Sequence, residues 1–160
     1  MNSPPKTTSR SGRSGGLGRL WDLPELNVAI FGFLLNFVWE MWQIPFYEDM
    51  PGKPHLLAVW QCTRATFGDV VIMLVAFWVV AAIIRSRRWI VAPNWRQVVG
   101  FVIVGVLITV GMEEISLQLD RWAYADLMPT LPLVGTGLLP LAQWILLPPL
   151  VVWFVRRQLT

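Results

Sequence analysis

Asn36, Glu40 and Gln43 stand at i, i+4 and i+7 within an apolar run, a spacing that stacks three polar side chains on one helix face. Thr109, Glu113 and Ser116 repeat that spacing in a second run, with Asp120 one turn further on. A third run carries Asp69, preceded by Thr66 and Cys62, and His55 joins that face if the helix starts early enough. In a fourth, Thr136 and Gln143 are separated by i+7 with Pro140 between them. Pro140 is expected to kink its helix by leaving a carbonyl without a donor. A carboxylate in hydrocarbon costs several kcal/mol. Each acid must therefore face the other helices, pair with a base, bind a cation or take up a proton.

Glu40, Asp69 and Glu113 are the acids expected to converge, and Glu40 leads because Asn36 and Gln43 flank it. Their candidate roles are acid–base catalysis on a lipid-soluble substrate, coordination of a cation, or translocation of protons or ions. Asn36, Gln43, Gln143 and Thr66 are the candidate groups for orienting a ligand. With His55 the three carboxylates form an oxygen-rich donor set that suits a hard or borderline divalent cation. One histidine cannot supply a bis-histidine haem site or the paired Glu-x-x-His motifs of di-iron bundles within one subunit. One cysteine, Cys62, excludes an intrachain disulfide and thiol–disulfide redox chemistry. Ser116 lacks a Gly-x-Ser-x-Gly elbow, and Asp69 lacks the second mid-membrane Asp that an aspartyl protease needs.

Helices crossing a bilayer would have to position these groups. The 160 residues are 55% hydrophobic and only 14% charged, a balance too apolar for an ordinary soluble surface. The apolar residues fall into runs at about 26–46, 65–84, 98–119 and 131–155, each near the ~20 residues that span the ~30 Å hydrocarbon core. Only helices satisfy the backbone of such isolated runs in lipid. The expected fold is an all-α integral membrane protein, a four-transmembrane-helix antiparallel bundle over residues 21–160. Residues 1–20, rich in Ser, Gly, Pro and Arg, are expected to form a disordered cytoplasmic tail.

Basic residues orient the bundle. Lys6, Arg10, Arg13, Arg19, Arg85, Arg87, Arg88, Arg96, Arg156 and Arg157 fall on one side, and Lys53, Arg64 and Arg121 on the other. That bias puts both termini in the cytoplasm of a multi-pass inner (plasma) membrane protein. Bases placed as topology signals also argue against a nucleic-acid partner, despite the net charge of +3. Asp69 and Glu113 then lie about 22 Å from the cytoplasmic ends of their helices, so all four runs place polar groups in the outer half.

Most of the ten tryptophans sit near run ends as interfacial anchors, with Trp39, Trp78 and Trp144 deeper. The segment from Asp120 to Asp126 has the composition of an interfacial lid. Two functional expectations follow. One is a site for a cation or lipid-soluble ligand, with or without catalysis. The other is a non-enzymatic assembly or stabilising subunit that contacts other membrane subunits, its polar groups serving as helix packing. In either case the bundle can be complete alone or shared in a homo-oligomer. The arrangement of the carboxyl groups separates the two: acids gathered in one cavity demand a cation or a shared proton, whereas acids each paired with Arg64 or Arg121 are packing.

Overall fold

The computed structural model describes residues 20–132 and 135–160, so the expected N-terminal tail lies outside the described residues up to Arg19. Among the described residues there are four long α-helices and no strand: α1 (Pro24–Trp42), α2 (His55–Ile84), α3 (Trp95–Gln118) and α4 (Leu138–Leu159). Two short 3-10 turns, Ile44–Phe46 and Trp89–Val91, follow α1 and α2. Helices α2, α3 and α4 are each long and apolar enough to cross a membrane. α1 has 19 residues and carries Glu25, Asn27, Asn36 and Glu40, which dilute its apolar character.

Local chemistry sets the helix limits. Pro24 opens α1 at a position where the missing N–H costs nothing. α2 ends at Arg85, which takes the left-handed conformation (φ 57°) while Ser86 N–H donates back to Ala81 O at 3.0 Å. Asn94 and Gln97 form a reciprocal capping box at the start of α3. α4 begins at Leu138, not near residue 131, because Gly135 (φ 67°) and the Gly137 cap hold the preceding chain in turns. Pro140 therefore falls in the first turn, where its N–H is not needed, and is not the expected mid-helix kink. The prolines inside α4 are Pro148 and Pro149, which leave the Trp144 and Ile145 carbonyls without their i+4 donors.

α1 packs on α2 and α4, and α3 packs on α2 and α4, so the chain closes a ring in sequence order. Contacts across the ring give the directions. The Arg87 Nε to Glu25 Oε1 pair (2.6 Å) joins the start of α1 to the loop after α2. Phe31 near that end of α1 stacks on Phe154 near the end of α4, centroids 5.3 Å apart. Neighbouring helices are thus antiparallel.

The half of the bundle around that ion pair is apolar and dry. Val28, Met73, Phe77, Phe101, Val151 and Val155 are fully buried there. Trp89 was expected at the interface, but its 3-10 turn folds it inward. Its ring stacks on Phe77 and meets Phe101 edge-on, and only 4% of it is exposed. Gly32 and Gly105 let neighbours approach closely. A Cβ on Gly105 would lie 2.2 Å from the Trp144 ring, so only glycine lets that indole pack directly against the α3 backbone.

Candidate functional site

At the opposite end the four helices enclose a cavity of about 430 Å3. Glu40 comes from α1 two residues before its end, Asp69 from the middle of α2, and Glu113 from the last turns of α3. All three line the cavity. The Glu40 and Asp69 carboxyl groups adjoin closely enough to hydrogen-bond each other. Glu113 faces both from α3, within range of their charge.

Amides hold the first two acids. Gln43 Nε2 donates to Glu40 Oε1 at 2.7 Å, and its own Oε1 accepts from Trp39 Nε1 at 3.2 Å. Gln143 Nε2 reaches from α4 to donate to Asp69 Oδ2 (3.0 Å) and to Asn36 Oδ1 (2.7 Å). Asn36 in turn donates to Gly32 O at 2.7 Å, which settles its amide orientation. This relay, buried at Asn36 and Gln143 and half-buried at Asp69, joins α1, α2 and α4, and the Trp144 ring seated on Gly105 fixes the position of its neighbour Gln143. The Cys62 thiol donates to Glu40 O at 3.6 Å.

Three residues expected in the site do not line the cavity, the first being Asn36, which is fully buried with its amide spent on Gly32 O and Gln143. Thr66 is buried, but its hydroxyl donates to Cys62 O at 2.8 Å within its own helix, and it does not line the cavity. His55 is the exposed first residue of α2 and also lies outside the cavity lining. Among the described residues, no group of three His, Cys, Asp or Glu side chains has a metal-holding arrangement. Of the deeper tryptophans, Trp144 lines the cavity and Trp78 faces outward.

Tyr124 belongs to the Asp120–Asp126 segment expected as an interfacial lid, and its hydroxyl holds one of the three acids. Its hydroxyl donates to Glu113 Oε2 and accepts from Gly137 N–H at 3.1 Å. Burial, then the hydrogen bond to Glu113, pushes the Tyr124 phenol above its ordinary value. Burial, followed by the charges of Glu113 and Glu40, does the same to Tyr47. Both phenols stay protonated as donors at neutral pH. Tyr47 pairs with Tyr124 in an isolated antiparallel bridge, flanked by Glu48 N–H to Ala123 O and Ala125 N–H to Phe46 O, each 3.0 Å. The loops after α1 and α3 are thereby tied together over the cavity, and Trp122 and Arg121 line it from the second loop. Burial of an aromatic hydroxyl inside a loop leaves no periodic mark in the sequence.

Charge is distributed unevenly. Among the described residues the ion pairs are Lys53–Asp49 and Arg87–Glu25, so Glu40, Asp69 and Glu113 have no basic partner. Arg64 and Arg121 border the cavity without bridging to them. Thr109 Oγ1 and Ser116 Oγ line the same cavity, are buried, and have no hydrogen-bond partner among the described residues. Buried hydroxyls rarely go unpartnered, and these two border space large enough for a small organic molecule. No protein-family model, curated protein or solved structure matches this chain.

Proposed function

We propose that this chain is a four-span inner-membrane protein that binds a small ligand in a carboxyl-lined cavity in the outer half of its bundle. α1 is the fourth span, and both termini face the cytoplasm. Ten basic residues on the Arg87 side against three on the cavity side support this orientation. One observation carries the binding reading: Glu40, Asp69 and Glu113 line a single cavity and none is paired with a base among the described residues. Removing several carboxyl groups from water without a counter-charge is destabilising, and helix packing alone would be served better by apolar residues. The ligand supplies hydrogen-bond donors or positive charge to the acids. Thr109 and Ser116 supply the complementary polar contacts, and Tyr124 holds Glu113 in place from the loop. Close placement of Glu40 and Asp69 also allows one proton to be shared between them, which suits acid–base work on a bound lipid-soluble molecule.

The reading is tested by thermal unfolding of the detergent-solubilised protein with n-butylammonium, methylguanidinium and Mn2+ as probes. At least one probe should raise the melting temperature saturably, and Glu40→Gln should abolish that rise while leaving the unliganded melting temperature at or above the wild-type value. An equal shift in Glu40→Gln, or no shift with any probe, would return the acids to packing in an assembly subunit.

A further inference from the structure

The cavity that the proposed function rests on is charged differently at its two levels. The acids lie inside the bundle, and the bases that line the same cavity lie outward of them. Arg64 precedes Asp69 by five residues on α2, which places its backbone about 7–8 Å nearer the end of the helix. Arg121 follows the end of α3, eight residues beyond Glu113, and Lys53 precedes the start of α2. Lys53 is occupied by Asp49 and by Gln61 Oε1 at 3.0 Å, whereas Arg64 and Arg121 make no ion pair among the described residues. A bare metal ion would leave the arginines unused, and the acids are not arranged to hold one among the described residues. A simple anion would meet the arginines and be repelled by the acids.

The geometry points to a zwitterionic ligand that carries an ammonium group and a phosphate a few ångströms apart. The ammonium would lie between Glu40, Asp69 and Glu113, and the phosphate would lie against Arg64 and Arg121. Guanidinium groups match phosphate oxygens in a planar, two-point fashion, and an ammonium offers three donors to surrounding carboxylates. Ser116 Oγ, buried and unpartnered one turn outward of Glu113 on α3, is free to accept from or donate to the phosphate, and Thr109 Oγ1, buried and unpartnered one turn inward of Glu113, lies at the ammonium end.

This chemistry belongs to aminophospholipid headgroups and to free phosphoethanolamine. The shape of the cavity favours the lipid. Ala65 and Gly68 of α2 and Met112 of α3 line the cavity and are exposed, and we read the gap they leave between two neighbouring helices as its side opening. An added Cβ at Gly68 would meet nothing within 4 Å. A headgroup can pass through such an opening while its acyl chains stay in the bilayer.

Calorimetric titration of the purified protein with dihexanoyl phosphatidylethanolamine, free phosphoethanolamine, dihexanoyl phosphatidylglycerol and ethylammonium tests the proposal. Phosphatidylethanolamine should bind, and the phosphatidylglycerol and ethylammonium, each lacking one of the two charges, should bind at least about tenfold more weakly. Asp69→Asn and the exposed Arg64→Gln should each weaken phosphatidylethanolamine binding by about tenfold or more. Arg64→Gln keeps the test valid if the buried variant fails to fold. Equal binding of phosphoethanolamine would identify the free compound as a sufficient ligand, and its failure would identify the lipid. Binding of ethylammonium or phosphatidylglycerol as tight as that of phosphatidylethanolamine, or an unchanged Arg64→Gln, overturns the zwitterion. Glu40-dependent binding of a cationic probe alone would do the same while leaving the ligand-binding cavity intact, and no binding by any probe would remove both.

Discussion

The two ends of this bundle use the same four helices for opposite purposes. Around Phe77, Trp89 and Phe101 every large side chain has apolar neighbours, and the polar groups are few and local. Around Glu40, Asp69 and Glu113 the helices draw apart into a cavity, and the buried polar groups outnumber the bonds available to them. At the first end apolar side chains fill the space between the helices, and Glu25 Oε2 is the one buried polar atom there without a partner among the described residues. At the second end packing is incomplete, and incompleteness repeated on three helices is the mark of a site.

Substitutions should divide along the same line. The largest effect is expected from Phe101→Ala, which empties the centre of the dry end and should cost about 3–5 kcal/mol in reversible unfolding, while leaving probe binding per folded molecule unchanged. Gln143→Leu should cost about 1–3 kcal/mol, because it strips Asn36 and Asp69 of a shared donor in a buried setting; unlike Phe101→Ala it should also weaken probe binding in calorimetry. A pH series sharpens the comparison further. Tyr47 and Tyr124 hold their protons more tightly folded than unfolded, so their contribution is full below the unfolded value of about 10 and is lost as pH rises beyond it. Melting temperature should therefore fall in alkali, and the double variant Tyr47→Phe, Tyr124→Phe should flatten that decline. A wild-type curve level from pH 9 to about pH 11 would contradict the buried setting of the phenols. Thr66→Val should have the smallest effect, about 0.5 kcal/mol or less, with no change in ligand response, because its hydroxyl serves only its own helix.

Much of the apolar scaffold was legible because bilayer thickness imposes a length that composition reveals directly. The polar stripes were legible for a similar reason: a 3.6-residue period aligns Asn36 with Glu40 and Thr109 with Glu113 before any tertiary contact is known. Depth alone misassigned Thr66, since a helical Thr can turn its hydroxyl back to the preceding turn instead of outward. His55 was grouped with Asp69 on helical spacing, but their 14-residue separation carries it to the exposed end of α2. The start of α4 was misread because residues 131–137 are apolar enough to continue a span. Left-handed Gly135 and the Gly137 cap keep the described residues of that stretch, 131–132 and 135–137, out of the helix. Tyr124 was hardest to see, because a loop places its side chains through contacts distant in sequence and has no period.

The relay through Gln143 has a consequence for how such a chain is built. Gln143 lies 107 residues beyond Asn36 and 74 beyond Asp69, so the amide that joins them emerges from the ribosome long after both. Helices α1 and α2 can pair as a hairpin early in synthesis, yet that hairpin carries Glu40 and Asp69 with the Gln143 donor still to come. Until α4 arrives, the nascent hairpin must keep those acids hydrated, beside the insertion machinery or at the edge of the bilayer. Closure of the ring is then the step that withdraws them from water, and biogenesis of the site waits on α4.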